Sequence, residues 1–288
     1  MCSNLRDAAK RKACGKAYAP AITLGAFLCV LLSEYAGAHE PVFSLGPETI
    51  YKGGVGIETE FEFESGDGQH SSLINYEVLY GLTKKVSLTL EIPQVLDVAE
   101  AGDSDSGIGD LELRLKYQFY KRDFLGGQDK IAAILGVKFP TGDEDSTPRL
   151  GTGTTDYLFG LSYGRESRSW YGFTTLRYLL RGDDGQFEPG DRFFYDAAIG
   201  YRPWKREYLQ WDFVALLEMN GEYDWRSELQ GVTVGNSGGN TVWLGPTGLL
   251  SHRNIMFKSG IQFPVYRDLN GNRKEDRFRA LFAIEYHF

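Results

Sequence analysis

Residues 110–119 read DLELRLKYQF. Leucine or an aromatic residue occupies every second position, and charged or amide residues fill the positions between them. Successive side chains of a strand point to opposite faces, so this stretch predicts a strand with one apolar and one charged face. A soluble sandwich would bury the apolar face in a core. A membrane barrel would turn that face to lipid and the charges to a wet interior.

The first 38 residues have the pattern of a secretory signal peptide. Four basic residues between Lys10 and Lys16 precede an apolar run at 21–32 and an A-x-A cleavage site at 36–38. The run is short for a spanning helix, so an uncleaved anchor is the weaker alternative. We predict a signal peptide over 1–38 and a mature domain over 39–288. Cys2, Cys14 and Cys29 are the only cysteines, so the mature chain would lack thiols and disulfides.

The mature chain would also be acidic. Its formal charge falls from −8 to −11 when five basic and two acidic residues leave with the signal peptide. An acidic chain is a poor candidate for binding nucleic acid. No other apolar run approaches the roughly 18–20 residues of a membrane helix. A membrane location would therefore require a closed barrel, the other structure that satisfies every backbone group in lipid.

Alternating patterns recur along the whole mature chain. An even number of long antiparallel strands is typical of outer-membrane barrels, whereas strands in globular proteins average about 5–6 residues. The fold class is therefore predicted to be all-β, an antiparallel transmembrane barrel. The twelve predicted strands are 50–64, 71–82, 85–97, 107–120, 130–140, 153–164, 169–181, 191–202, 207–222, 240–250, 254–266 and 277–288.

The connections between these strands alternate in length and charge. The five short ones carry eleven basic and four acidic residues, and the six long ones carry seventeen acidic and six basic residues. Outer-membrane barrels have short periplasmic turns and long external loops. We therefore expect both termini on the periplasmic side. Strands that run toward the short turns tend to end in a tyrosine suited to an interfacial girdle: Tyr80, Tyr117, Tyr163, Tyr201 and Tyr286.

The last strand and three prolines give further signs of a barrel. The chain ends ALFAIEYHF, in which Tyr286 and Phe288 resemble the terminal signal read by the bacterial barrel-assembly machinery. Pro93, Pro140 and Pro264 are expected at strand ends or bulges, because proline cannot donate to a ladder.

The expected partners are outer-membrane lipid and lipopolysaccharide, the assembly machinery during biogenesis, and an unidentified small-molecule solute. The expected location is the outer membrane of a Gram-negative bacterium, and no cofactor is expected.

The polar faces of the strands predict the residues that line the interior. One interpretation is a salt-bridge network that fills a narrow barrel, because buried charges must be paired. The other is a conduction path that favours cations, because acidic rings select them. Aromatic residues on the same face could guide apolar solutes or simply fill space. The charged candidates are Glu58, Glu60, Glu62, Glu77, Glu112, Arg114, Lys116, Asp156, Asp196, Asp212, Lys258 and Arg279, and the aromatic candidates are Tyr171, Phe173, Phe194 and Trp243.

Two other functions, metal binding and hydrolysis, have weaker support in the sequence. Oxygen ligands at alternating positions could hold a metal ion in the stretch 268–276, through Asp268, Asn270, Asn272 and Asp276, although an ordinary Asn-Gly turn explains the stretch better. A hydrolase is the main rival class. His70 is the histidine expected on the outer side, near Ser71, Ser72 and Asp67, but neighbours in sequence rarely form a catalytic triad.

Three stretches resemble one known family. They are GIGDLELRLKYQFY at 107–120, GVKFPTGDED at 136–145 and LGTGTTDYLFGLSY at 150–163. They are similar to outer-membrane proteins named for a "putative MetA-pathway of phenol degradation" and described as transporters. The resemblance implies a small outer-membrane channel for aromatic or other hydrophobic compounds, and the acidic lumen residues add cations as a possible solute. The alternative is a structural barrel with a plugged, non-conducting lumen. No N-terminal hatch domain is expected, because few residues precede the first strand.

Overall fold

A computed structural model describes residues 40–100, 102–183, 185–204, 210–271 and 276–288. The predicted signal peptide lies outside the described residues. No helix in this described part is long and apolar enough to cross a membrane. The strands are β1 (Val55–Gly66), β2 (Gln69–Gly81), β3 (Val86–Glu100), β4 (Asp103–Ile108), β5 (Leu111–Phe124), β6 (Gly127–Phe139), β7 (Asp156–Ser167), β8 (Trp170–Leu180), β9 (Phe187–Glu188), β10 (Arg192–Tyr201), β11 (Asp212–Asp224), β12 (Glu228–Leu229), β13 (Val232–Thr233), β14 (Gly239–His252), β15 (Ile255–Leu269) and β16 (Asp276–His287).

Twelve long strands form one closed antiparallel barrel. Neighbouring strands follow the order β2, β1, β16, β15, β14, β11, β10, β8, β7, β6, β5 and β3, and β3 then pairs with β2. The closing pair of first and last strands runs from Gly56 opposite His287 to Gly66 opposite Asp276. The predicted all-β barrel is thus confirmed. We call the end where β1 begins and β16 ends the turn end, and the opposite end the loop end.

The two faces of the barrel wall differ as the alternation predicts. Tyr80, Tyr117, Tyr201 and Tyr286 are exposed near the turn end of the outer surface. Polar and charged side chains on the same strands point inward, where many of them are buried. A belt of exposed apolar side chains surrounds the barrel between its two ends, and it includes Ile57, Phe61, Leu90, Leu135, Phe159, Leu161, Leu176, Ile199, Leu217, Phe282 and Ile284.

Several predicted strand bounds are wrong, each for a local reason. The first strand starts at Val55 instead of residue 50, because Gly53 and Gly54 form a turn bonded to Gly81. The predicted strand 107–120 is two strands, β4 and β5, separated at Gly109–Asp110. The start of β11 at Asp212 is described, but residues 207–209 of the predicted strand 207–222 are outside the described residues. A small sheet of β9, β12 and β13 at the loop end was not predicted.

The three prolines lie where the ladders are interrupted. Pro264 pairs with Trp243 at a register shift between β14 and β15. Pro140 follows the last residue of β6. Pro93 lies within β3, at the point where its neighbour changes from β5 to β4. These positions agree with a residue that lacks a backbone donor.

Candidate functional site

Residues 40–54 precede β1, and we call them the N-terminal strap. Residues 40–50 lie inside the barrel, and residues 51–53 are exposed at the turn end. The backbone of the strap contacts side chains of strands that are more than a hundred residues away in sequence. The sequence analysis predicted no hatch domain and identified no lumen segment before the first strand, so the strap is an unpredicted feature. The strap is short, but an extended chain covers about 3.3 Å per residue, enough to cross a narrow barrel.

Glu218 on β11 is the main anchor of the strap. Its Oε1 and Oε2 accept the backbone N–H groups of Val42 and Phe43 at 2.7 and 2.9 Å. The hydroxyl of Thr247 also donates to Oε1, at 2.6 Å. Glu218 is 1% exposed. A buried carboxylate needs such donors, and the strap supplies two of them.

Further side chains bind the backbone carbonyls of the strap. Ser162 and Thr175 both donate to the Leu45 carbonyl, at 2.9 and 2.6 Å. Gln118 donates to the Pro47 carbonyl at 3.1 Å, and Asn220 donates to the Phe43 carbonyl at 3.2 Å. These bonds satisfy polar backbone groups that enter a largely dry interior, so the strap is held by specific partners.

Two acidic side chains of the strap pair with lysines of the barrel wall. Glu40 Oε1 is 2.5 Å from the ammonium of Lys116 on β5. Glu48 pairs with Lys130 on β6. Burial, followed by the nearby carboxylate of Glu166, raises the pKa of Glu48 to about 8, against the opposing attraction of Lys130. The other Glu48 oxygen, Oε1, has no hydrogen-bond partner among the described residues.

Glycines in the barrel wall make room for the strap. A Cβ on Gly164 would lie 2.8 Å from Pro47 Cγ, and a Cβ on Gly260 would lie 2.7 Å from Phe43 Cε2. Glycine inside a strand often marks a place where another chain segment approaches closely. These glycines, together with inward polar side chains such as Glu218 and Gln118, were the available sequence signal for the strap, and the sequence analysis missed it.

The predicted aromatic residues fill space around the strap and its neighbours. Tyr171 and Phe173 are 3% and 4% exposed, and they share a buried apolar cluster with Val42. Trp243 is buried beneath the guanidinium of Arg279, and Phe194 lies under the guanidinium of Arg177. Their use as a guide for apolar solutes stays a prediction.

The strap divides the lumen unequally. Its hydrogen bonds go mainly to β7, β8 and β11, whereas the remaining space is lined mainly by β1, β2 and β3. An outer vestibule of about 620 Å³ opens at the loop end. A chamber of about 210 Å³ lies beside the strap, and a lower chamber of about 60 Å³ is lined by residues nearer the turn end, such as His287.

The 210 Å³ chamber, which we call the acidic chamber, is lined by more acidic than basic side chains. Seven glutamates and four cationic side chains line it. Of the predicted interior residues, it contains the glutamates at 58, 60, 62 and 77 and the cations Arg114, Lys258 and Arg279. The remaining charged members are Glu40, Glu64, Glu91 and Arg177.

Two of these cations are saturated with carboxylates. Lys258 lies 2.8 Å from Glu58 and 3.0 Å from Glu285. Arg114 lies 2.5 Å from Glu77 and 2.9 Å from Glu91.

The other two cations form ion pairs with residues outside the chamber lining, because Arg279 binds Glu222 and Arg177 binds Asp196. Within the described residues, Glu60, Glu62 and Glu64 have no ion pair. The Asn75 amide lies 3.2 and 3.4 Å from the first two.

The outer vestibule is held in shape by Asp110. Its carboxylate accepts the N–H of Gly142 at 3.0 Å and the N–H and hydroxyl of Thr152 at 2.8 and 2.9 Å. Thr141 joins the same two segments. Its hydroxyl oxygen accepts a hydrogen bond from the Leu111 N–H, and its hydroxyl donates one to the Gly109 carbonyl. The three motif stretches that resemble the family therefore meet here in space.

The remaining five predicted charges are distributed around the wall. Glu112 lines the vestibule, and Lys116 lines the lower chamber. Asp156 is 1% exposed and lies 2.5 Å from Lys138. Asp196 is buried with Arg177, and Asp212 pairs with Arg202 at 2.7 Å near the turn end.

Two residues of the weak metal prediction bind other protein groups. Asn270 Oδ1 accepts from Arg226 at 3.0 Å, and Asp276 Oδ1 accepts from Gln69 at 2.7 Å. Asp268 lies opposite Asn240 in the β14–β15 ladder, and Asn272 is outside the described residues. Among the residues described, no group of three or more His, Cys, Asp or Glu side chains could hold a metal ion.

His70 pairs with a different acid from the one considered in the sequence. Its Nε2 lies 2.7 Å from Asp97 Oδ2 at the loop end, and both side chains are nearly half exposed. Within the described chain, no serine hydroxyl bonds to this histidine. The pair therefore lacks a positioned nucleophile of the kind that a serine hydrolase needs.

Comparison with solved structures gives the same architecture. The chain is similar to an outer membrane channel of the COG4313 group from Pseudomonas putida F1, with a TM-score of 0.70 and 14% identity over 84% of this chain and 97% of that one. It also matches the NanC porin, with a TM-score of 0.49 and 9% identity over 80% of this chain and 98% of that one. No curated protein sequence matches the chain.

The likeness to the Pseudomonas channel shows that this chain has the fold of an outer-membrane β-barrel. A family model with the description "Putative MetA-pathway of phenol degradation" matches residues 38–273, which is most of the chain. The chain belongs to this family.

Proposed function

We propose that the protein is a channel that admits small solutes along the acidic side of its lumen and favours cations. The observation that carries this proposal is the excess of seven glutamates over four cationic side chains in the acidic chamber. Rings of carboxylates favour the passage of cations. Three of the glutamates, at 60, 62 and 64, have no ion pair in the described chain, so their carboxyl groups remain open to contact with a solute.

The cavities support a path from the loop end into this chamber. Glu62, Asn75 and Glu91 line both the outer vestibule and the acidic chamber. The strap occupies the opposite side of the lumen and leaves this side open to a narrow file of ions or a small solute. The alternative function is a structural barrel whose strap closes the lumen completely.

The vestibule favours a second candidate, the uptake of aromatic or other hydrophobic solutes. Pockets that bind such molecules combine apolar walls with a few polar groups. The vestibule has this composition, since charged groups occur at its floor and its apolar lining consists of Leu73, Pro93, Val95, Leu150, Phe187 and Pro189. An apolar fluorescent probe should bind the refolded barrel, and Leu150→Asp should weaken that binding.

Planar-bilayer recording tests the main proposal. The refolded barrel should conduct, and its reversal potential in a KCl gradient should show cation preference. Glu60→Gln together with Glu62→Gln should reduce that preference. Asp123→Asn is the matched control, because Asp123 is an exposed acid at the turn between β5 and β6 and lines none of the three cavities. A barrel without conductance would instead support the structural alternative.

We also infer that the protein is not a hydrolase. This inference is supported by the exposed His70–Asp97 pair, which binds no serine hydroxyl in the described chain. Purified barrel should not hydrolyse ester or peptide substrates. Activity that is lost in His70→Ala would contradict the inference.

A further inference from the structure

The acidic chamber and the lower chamber meet at a neck, which we define by the residues that line both. The strap contributes Glu40 and Leu45 to it, so one side of the neck belongs to a segment that is not part of the barrel wall. The wall contributes four charged residues from four different strands, namely Glu58, Glu77, Arg114 and Lys258.

Ion pairs of two kinds surround the neck. Glu58 with Lys258, at 2.8 Å, and Glu77 with Arg114, at 2.5 Å, join strands of the barrel to one another. Glu40 Oε1 instead lies 2.5 Å from Lys116 Nζ, which joins the strap to β5. Lys116 itself lines the lower chamber just beyond the neck.

The Glu40–Lys116 pair of the strap is more accessible than the Glu58–Lys258 pair of the wall. The side chains of Glu58 and Lys258 are each 8% exposed, whereas those of Glu40 and Lys116 are 21% and 15% exposed. A permeating ion would therefore meet the charges of the strap pair more directly. Lys258 is also shared between two carboxylates, whereas Lys116 pairs with Glu40 alone within the described chain.

We propose that the Glu40–Lys116 pair sets the charge selectivity of the channel at this neck. This inference rests on the proposed conduction along the acidic side. When both charges are present they largely cancel. Removing Lys116 would leave the Glu40 carboxylate unopposed and strengthen the preference for cations. Removing the Glu40 charge would leave an ammonium in the path and weaken that preference.

A second strap pair provides a matched control. Glu48 and Lys130 also join the strap to the wall, and both side chains are buried. Lys130 lines neither chamber. Substituting it should disturb the seating of the strap as much as a substitution of Lys116 does. Its partner Glu48 lines the lower chamber, but burial and Glu166 raise the pKa of Glu48, so the loss of Lys130 leaves a neutral carboxyl there and no unopposed charge.

The experiment measures reversal potentials of refolded barrels in a KCl gradient. Lys116→Met should raise the permeability ratio of K⁺ to Cl⁻ by about twofold or more, and Glu40→Gln should lower it by about twofold or more. Lys116→Arg should keep the wild-type ratio, and so should Lys130→Met. Equal shifts in Lys116→Met and Lys130→Met would mean that strap displacement, and not the neck charge, controls selectivity, and would overturn the inference.

A chemical measurement keeps the test independent of folding defects. In mature chain without native thiols, Lys116→Cys can be modified after insertion with a cationic or an anionic thiol reagent. The cationic adduct should lower the K⁺ to Cl⁻ ratio, and the anionic adduct should raise it. If neither adduct moves the ratio although Glu60→Gln with Glu62→Gln does, the neck inference alone fails. A wild-type barrel without cation preference or conductance overturns the proposed function and this inference together.

Discussion

The backbone N–H of Val42 donates to Glu218 Oε1 at 2.7 Å, across 176 residues of sequence. The same carboxylate receives Phe43 N through its other oxygen. One buried side chain of β11 thus fixes the direction of the strap where it crosses the lumen. The bond also explains how a glutamate can be almost fully buried in a barrel without a cation beside it, because two amides and the Thr247 hydroxyl compensate its charge.

Glu218→Ala should release the strap. The substitution leaves two backbone donors and the Thr247 hydroxyl without their acceptor, at about 1–3 kcal/mol for each buried group that stays unsatisfied. The strap should respond by leaving this position, which hydrates its amides. We expect a larger single-channel conductance and faster proteolytic cleavage between residues 40 and 54.

Asp224→Asn on the same strand is the control for this experiment. Asp224 binds Arg192 near the loop end and has no bond to the strap. Its substitution should leave conductance and strap cleavage near the wild-type values. If Glu218→Ala also keeps both values, Glu218 does not hold the strap.

A rise in pH should weaken the contact between the strap and the barrel wall at Glu48, the other anchor of the strap. The pKa of Glu48 is raised by burial and by Glu166 to about 8, above its ordinary value of 4.5. A raised pKa in the folded state contributes stability that is full below the ordinary pKa and is lost as pH rises through the raised value. Cleavage of the strap should therefore accelerate between about pH 4.5 and 8. The Glu48→Gln variant should lose this part of the pH dependence, and an unchanged profile would contradict the assignment.

Topology can be tested with single cysteines, because all native cysteines fall in the predicted signal peptide. Asp145 lies in the exposed loop after β6, and Leu125 is 99% exposed at the turn between β5 and β6. We expect Asp145→Cys to react with an impermeant thiol reagent on intact cells. Leu125→Cys should react only after the outer membrane is opened. The reverse pattern would invert the orientation.

Alternation was enough to predict the barrel wall. DLELRLKYQF forms β5 with its leucines between Leu88 or Leu90 on one side and Leu135 or Val137 on the other, so each residue matches its neighbours' faces. Period-two patterning is a local property, and one shift would turn every side chain to the wrong face. The sequence therefore strongly restricts both the strands and their register.

The strap could not be predicted in the same way. Residues 40–49 have no periodic pattern, and their partners are side chains such as Ser162 and Gln118 that look like ordinary lumen residues. The contacts depend on closure of the barrel, which brings β5, β7, β8 and β11 around one segment. The ion pairs could not be predicted for the same reason. Lys258 on β15 lies beside Glu58 on β1 only because β16 pairs with both strands.

The final residue should matter for assembly in cells more than for stability. Phe288 donates its N–H to the Val55 carbonyl at 2.8 Å, and its ring lies 4.9 Å from that of Tyr286 on the exposed surface. Phe288→Asp should lower the amount of protein in the outer membrane, while refolding in detergent stays efficient. Tyr286→Phe keeps both aromatic rings and should assemble normally. Normal levels of Phe288→Asp in the outer membrane would contradict the prediction that Phe288 is part of the assembly signal.

Leu113 and Arg114 are neighbours on β5 that should respond differently to substitution. Leu113 pairs with Leu90 and Val137 on the lipid-facing surface. Leu113→Arg should cost about 2–4 kcal/mol of unfolding free energy if the site is near the bilayer midplane. Arg114 binds Glu77 and Glu91, so Arg114→Leu leaves buried carboxylates unpaired and should cost about 3–5 kcal/mol. Denaturant unfolding in lipid vesicles measures both.

Stability alone does not separate a lipid-facing leucine from one in a dry core, so the decisive measurement is accessibility at the same two positions. A spin label at residue 113 should be relaxed strongly by a lipid-soluble agent, because the outer face of β5 meets hydrocarbon. A label at residue 114 should be relaxed weakly by that agent, because Arg114 lines the acidic chamber. Leu135, which is 51% exposed on β6, provides a lipid-facing reference. Equal protection at 113 and 114, with strong relaxation at 135, would mean that protein covers this part of β5 on both faces.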